Sequence, residues 1–180
     1  LIFHLGMSGR LKISNNRYSR IKHDHFIINF ANKATLIYND ARKFGFIDIS
    51  NTKKIKNKKY ILTLGIDALN KKLNHDYLYN KISKSEVPIK QILLNQKIIS
   101  GIGNIYASEI LFNSKISPLI LGKDLKNFQI VRLIKSIRII LRKAINSGGS
   151  SIRDYRSADG TLGNFQSNFK VYGKDGENIG

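Results

Sequence analysis

Cysteine is absent from this 180-residue chain, proline occurs twice and methionine once. Without Cys the chain holds no disulfide and offers no thiolate to a metal, a usage that suits a cytoplasmic protein. No apolar run approaches the roughly 20 residues that a membrane-spanning helix needs, and no signal-peptide pattern opens the chain. Acidic residues are scarce as well: 12 Asp and Glu stand against 31 Lys and Arg, a formal charge of +19. That excess points to a polyanionic partner, DNA or RNA ahead of an anionic membrane, and says nothing of the fold. With 42% hydrophobic residues the chain is too apolar for a disordered basic tail, so a folded basic protein is expected.

Residues 1–50 read as antiparallel β structure. Short β-prone runs cover residues 1–5, 10–13, 25–30, 35–39 and 44–49, with Gly, Ser and Asn between them, the pattern of a sandwich or barrel piece. Alternation from His25 to Phe30 predicts one inward face, with the His25 ring buried on it. A lysine-rich stretch at 53–59 reads as a solvated connector, and 61–82 as a link between domains that contains an exposed His75. From residue 83 the pattern is helical. Ser83-Lys84-Ser85-Glu86 fits a capping box. Apolar residues at 130, 134, 137, 141 and 145 make one face of a long helix that Gly148-Gly149 ends.

Between two helical runs lies Gly101-Ile102-Gly103-Asn104-Ile105-Tyr106-Ala107-Ser108-Glu109. Two glycines permit a tight turn and close approach of another backbone, and the helix starting near Asn104 offers N–H groups and a positive dipole end to a phosphate. Taken alone, this also fits a plain interhelical turn. Met7, in a Gly-Met-Ser-Gly turn, is either a core side chain or a flexible apolar tip able to enter a base stack. Arg42 reads as a surface ion-pair partner of Asp40, and His23-Asp24-His25 invites a metal.

The longer string from Gln96 to Phe112, followed by Lys115-Ile116-Ser117-Pro118, resembles the helix–two-turn–helix of the formamidopyrimidine-DNA glycosylase family. Three more motifs match in order: His4-Leu5-Gly6-Met7-Ser8-Gly9, Tyr38-Asn39-Asp40-Ala41-Arg42-Lys43-Phe44-Gly45 and Gly148-Gly149-Ser150-Ser151-Ile152-Arg153-Asp154-Tyr155. The resemblance implies a monomeric base-excision enzyme that removes oxidised purines from damaged double-stranded DNA and nicks the abasic site by β,δ-elimination. It implies an α+β fold: a partial antiparallel β-sandwich over 1–60, a link over 61–82, a helix–two-turn–helix DNA-binding domain over 83–164 and the start of a zinc-finger hairpin over 165–180. Met7, Arg42 and Phe44 would fill the void left by a flipped nucleotide, with Arg42 on the opposite-strand base. His4, His23, Lys84 and Asn104 would contact DNA without metal. Lys84 takes this role because Ser85 stands where the family often has Lys. Lys90 flanks the same helix, Arg153 reaches phosphate or braces its turn, and residues 157–164 would close over the flipped base.

Two parts of the family's machinery have no counterpart here. The finger's first Cys would fall near Ile179, so no zinc ligand of the finger is present. The family's amino-terminal Pro nucleophile and its Glu have no match either, since only Pro88 and Pro118 occur. We therefore read the chain as a fragment, inactive alone, with no catalytic residue among its 180. Missing prolines near Ile66 and Ala68 are expected to loosen the link. The alternatives are an endonuclease VIII-type enzyme for oxidised pyrimidines and a noncatalytic nucleic-acid-binding module built on the same helix pair.

Overall fold

The computed structural model describes residues 1–150, 163–174 and 176. The chain divides into two compact units, Leu1–Ile55 with Ser147–Ser167, and Lys56–Asn146 with Asn168–Gly180.

The first unit is built on two antiparallel sheets. Strand β1 (Ile2–His4) pairs with β5 (Phe46–Asp48), while β4 (Thr35–Asn39) lies between β2 (Arg10–Ser14) and β3 (Asp24–Asn29). Consecutive residues Ile37, Tyr38 and Asn39 are all buried, so both faces of the central strand are covered. Phe3 of β1 joins the sheets by packing against Phe26 and Tyr38, with ring centroids about 6 Å apart. A bulge between Asp24 and Phe26 breaks the register of β3. It takes His25 off the predicted inward face: the ring is exposed, and its Nε2 lies 2.8 Å from the Asp40 carbonyl.

The lysine-rich stretch, largely exposed as a solvated connector would be, forms a 3-10 helix over Thr52–Asn57, followed by the short helix α1 (Lys59–Leu62). Beyond it, the expected link is part of the second unit. Strand β6 (Ile66–Asp67) pairs in parallel with β7 (Ile99–Ser100). The Gly65 N–H donates to the Gln96 carbonyl at 2.7 Å, and the Ala68 N–H to Ser100 at 3.0 Å. A Cβ on Gly65 would sit 2.3 Å from the Ile98 carbonyl oxygen. Here the missing prolines do not leave a loose strap, because ladder hydrogen bonds hold it.

Helix α2 (His75–Ile82) is capped by Asn74, whose side chain accepts from the Tyr77 N–H at 2.9 Å. His75 stands at the start of that helix with its side chain 33% exposed, bonded to Asp76 and Asn127. Ser83 ends α2 instead of starting a helix, so the capping box does not form; α3 (Ile89–Leu94) begins after Pro88. Proline's fixed φ and missing N–H suit that start, and Glu86 pairs with Lys123 at 2.7 Å. Helix α4 (Asn104–Asn113) packs against α3 and against α5 (Asn127–Asn146). The core of this unit is aliphatic: Leu78, Ile82, Ile92, Ile110, Leu133 and Ile137 are fully enclosed. Ile145, expected on the inner face of α5, is exposed. Gly148 and Gly149 follow α5 at φ of 71° and 83°. Among the described residues no helix is long and apolar enough to cross a membrane.

The crowding at Gly65 gives a direct test. Gly65→Ala is expected to destabilise the protein by about 1–3 kcal/mol, the usual range for overpacking, read as a lower urea midpoint with unchanged slope. Gly103→Ala, where a Cβ meets open space, should shift that midpoint much less.

Candidate nucleic-acid interface

Two loops of the first unit are clamped by one carboxylate. Asp40 is fully buried at the end of β4. Its Oδ1 accepts from the Ser8 hydroxyl and, at 3.2 Å, from the Arg42 N–H. Its Oδ2 accepts from the Tyr38 hydroxyl at 3.0 Å and the Gly45 N–H at 2.9 Å. The backbone is engaged too: the Asp40 N–H donates to the His23 carbonyl, and its own carbonyl meets the His25 ring. Burial alone would push this carboxyl up, but the bonds from Ser8, Gly45, Tyr38 and Arg42 outweigh it and hold it well below the usual carboxylate range. Burial and the bond to Asp40 push the Tyr38 hydroxyl up to about 12.

Glycines let the loops close on this centre. Gly6 has φ of 60°, and a Cβ there would fall 2.8 Å from the Phe44 carbonyl carbon. A Cβ on Gly45 would strike the Tyr38 hydroxyl at 2.0 Å. The clamp leaves large side chains outside. Met7 is 77% exposed and Phe44 62%. The Arg42 guanidinium is exposed and its Nη1 lies 3.9 Å from the Met7 sulfur. Arg42 thus meets Asp40 through its backbone N–H, and the surface ion pair that its spacing offered does not form. His4, exposed on β1 just before the Met7 turn, stacks on Phe46 at 5.1 Å. His23 is half-buried, with φ of 71°.

In the second unit, Gln96 shapes the turn between α3 and α4. Its side chain accepts from the Gly101 N–H at 2.9 Å and donates to the Ile102 carbonyl at 2.8 Å. Gly101 has φ of 93°, and exposed Gly103 caps α4 without a capping side chain. Asn104 is the exposed first residue of α4. Lys84 is exposed between α2 and α3, and Lys90 is half-buried on α3. Arg153 and residues 157–162 lie outside the described residues, as does Ile179. Only the ends of that loop are described: Ser150 bridges Asn164, and the Phe165 N–H donates to the Gly149 carbonyl at 3.0 Å.

The sequence pattern of the formamidopyrimidine-DNA glycosylase H2TH domain matches residues 64–156, and that of the same enzymes' N-terminal domain matches residues 1–47. The chain belongs to the formamidopyrimidine-DNA glycosylase family. It is 45% identical to the formamidopyrimidine-DNA glycosylase of Zymomonas mobilis over 98% of its own length and 65% of that protein's. With the Rickettsia africae enzyme of the same name it shares 41% identity, over 98% and 64% of the two chains. It superposes on the Lactococcus lactis G226P mutant in complex with Fapy-dG DNA with a TM-score of 0.90, at 38% identity and over 98% and 65% of the two chains. For MutM in complex with DNA containing carbocyclic 8-oxo-G the TM-score is 0.88, at 36% identity and over 98% and 64%. The chain therefore spans about two thirds of the length of these family members.

Within the motifs, three side chains hold backbone in ways that the sequence reading did not assign: Asp40, Gln96 and Glu109. Glu109, 2% exposed on α4, accepts from the backbone N–H groups of Lys170, Val171 and Tyr172 at 2.9 to 3.1 Å. One signal was available for Asp40 and Glu109. An acid inside a motif of a chain this poor in acids is a candidate for an internal acceptor.

Asp40 sets an acid dependence. Its folded pKa is depressed, so its contribution is fully present above the unfolded value of about 3.9 and is lost as pH falls through the lower folded value. Asp40→Asn should lower neutral-pH stability by about 1–3 kcal/mol, since donors now face an amide. In urea titrations, the gap to the parent protein should narrow steadily below about pH 4.

Proposed function

We propose that the protein is a DNA glycosylase with abasic-site lyase activity, acting on oxidised purines such as 8-oxoguanine and formamidopyrimidines in duplex DNA. Residues 1–180 supply recognition and base extrusion in this reading, and the bond-breaking amine lies outside them. The observation that carries it is the pairing of Met7 with Arg42, beside exposed Phe44, on two loops held by one buried carboxylate. A protein that only grips backbone phosphates has no need of an exposed apolar wedge. An enzyme that turns a nucleotide out of the stack does: unstacking costs a few kcal/mol, an inserted apolar side chain offsets part of that, and a guanidinium can hydrogen-bond the widowed base.

The remaining surface fits a duplex. Asn104 and the N-terminus of α4 would take backbone phosphate, with Lys84 and the two exposed or half-exposed imidazoles, His4 and His23, adding contacts. The domain roles follow: within the 83–164 domain the α3–α4 turn grips DNA, and 165–180 begins the finger hairpin, whose zinc has no ligand among these residues. The Met7, Arg42 and Phe44 set favours oxidised purines over oxidised pyrimidines. The Lactococcus lactis and MutM complexes, with Fapy-dG and 8-oxo-G DNA, support the same preference.

In the full-length protein, Met7→Ala should slow excision of 8-oxoguanine opposite cytosine by about 10- to 100-fold, equivalent to about 1.4–2.7 kcal/mol. Borohydride trapping on a preformed abasic site, which has no base to extrude, should change little. If the unmodified full-length protein never traps, the noncatalytic binder replaces this reading. Lys84→Ala should flatten the slope of log affinity against log salt by about 0.9, as expected for one lost phosphate contact.

A further inference from the structure

Helix α5 carries a feature outside the candidate interface described above. Between α2 and the outer side of α5 runs a groove of about 600 Å³. Its floor is apolar. Val131, Ile134 and Ile139 line it, and Val131 is 57% exposed. Its rim is cationic: Lys71, Lys135, Arg138 and Arg142 stand around it with His75. Among the described residues no acidic side chain lines it. The Arg138 guanidinium is already oriented by donating to the Leu73 carbonyl at 2.8 Å. Positions 131, 135, 138 and 142 recur at spacings of four, three and four, so they form one continuous stripe about 16 Å long.

We propose that this groove is a docking site for an acidic, amphipathic peptide segment of a partner protein, its apolar side chains on Val131 and Ile139 and its carboxylates against Lys135, Arg138 and Arg142. The charge complementarity is one-sided, because Lys71, Lys135, Arg138 and Arg142 line the groove and the one carboxylate beside it, Asp76, is bonded to His75. Nucleic acid fits less well: a phosphate backbone has no apolar group to cover Val131, and an unfilled apolar floor gains nothing. A peptide with alternating acidic and large apolar residues satisfies floor and rim together. Oriented Arg side chains beside an apolar pocket are also the usual centre of a protein interface. None of the lining residues belongs to the α3–α4 turn or to the Met7 and Arg42 loops, so the proposal stands apart from the glycosylase reading.

The test uses the full-length protein and a fluorescein-labelled ten-residue peptide in which Asp alternates with Leu and Phe, followed by fluorescence polarisation at physiological salt. Two comparison peptides replace either the apolar residues by Ser or the Asp by Asn. Each comparison peptide should bind at least 10-fold more weakly. Val131→Asp and Arg142→Glu should each weaken the parent peptide by at least 10-fold. Because Val131 and Arg142 are exposed, both variants should keep the parent's thermal melt and its excision rate on 8-oxoguanine DNA. Equal binding of the Ser peptide would reduce the effect to bulk attraction by a chain of +19 and overturn the proposal. So would full displacement of the peptide from the groove by undamaged duplex DNA, unchanged affinity in both variants, or no binding.

Discussion

A single buried charge organises the two loops that carry Met7, Arg42 and Phe44. The Asp40 carboxylate draws donors from Ser8, 32 residues away, and from Tyr38, Arg42 and Gly45 nearby. A charge taken out of water is costly unless its lone pairs are filled, and here four donors fill them. The cost is also what makes the arrangement specific. Any drift of either loop would strip a donor from an enclosed anion, so the glycine-rich 6–9 turn and the 40–45 loop are kept in one relation. Met7, Arg42 and Phe44 inherit that fixity while remaining outside, where apolar and cationic groups can meet a partner.

This division of labour explains a basic chain that keeps some of its few acids inside. Asp24 is enclosed at the start of β3, accepting from the Ile21 N–H, Asn39 and Tyr18. Burial would raise its pKa, yet those bonds lower it. Glu109 is enclosed on α4. Each holds backbone that no ladder of strands would hold. With 31 Lys and Arg against 12 Asp and Glu, enclosing three of the acids leaves the surface still more cationic, which suits approach to a polyanion.

What could be read from the residues alone was mostly local. The glycine-bent corner and the ends of α4 and α5 depend on neighbours a few positions apart, and those neighbours are visible in sequence. Errors arose where a short pattern lay across a boundary. Ser83 and Glu86 have the spacing of a capping box, yet Pro88 defers the next helix and leaves Ser83 closing α2. His25 was assigned inward by parity, and a bulge of one residue reversed it. The stretch after residue 60 lacked strong periodicity, because its order comes from a parallel partner more than 30 positions later. Asp40 was legible as a possible partner of Arg42 but not as an acceptor for a hydroxyl 32 residues upstream.

Helix α4 begins at Asn104 beside the glycine turn and carries Glu109 five residues on, about 7.5 Å along its axis. Through that carboxylate the helix grips the backbone at 170–172. The glycine turn and the Glu109 attachment share one helix, so a displacement of its leading turn is carried to the backbone at 170–172. A shift in helix register by a single residue would turn Glu109 about 100° away from that backbone, which makes its spacing from the glycine turn as consequential as the side chain itself.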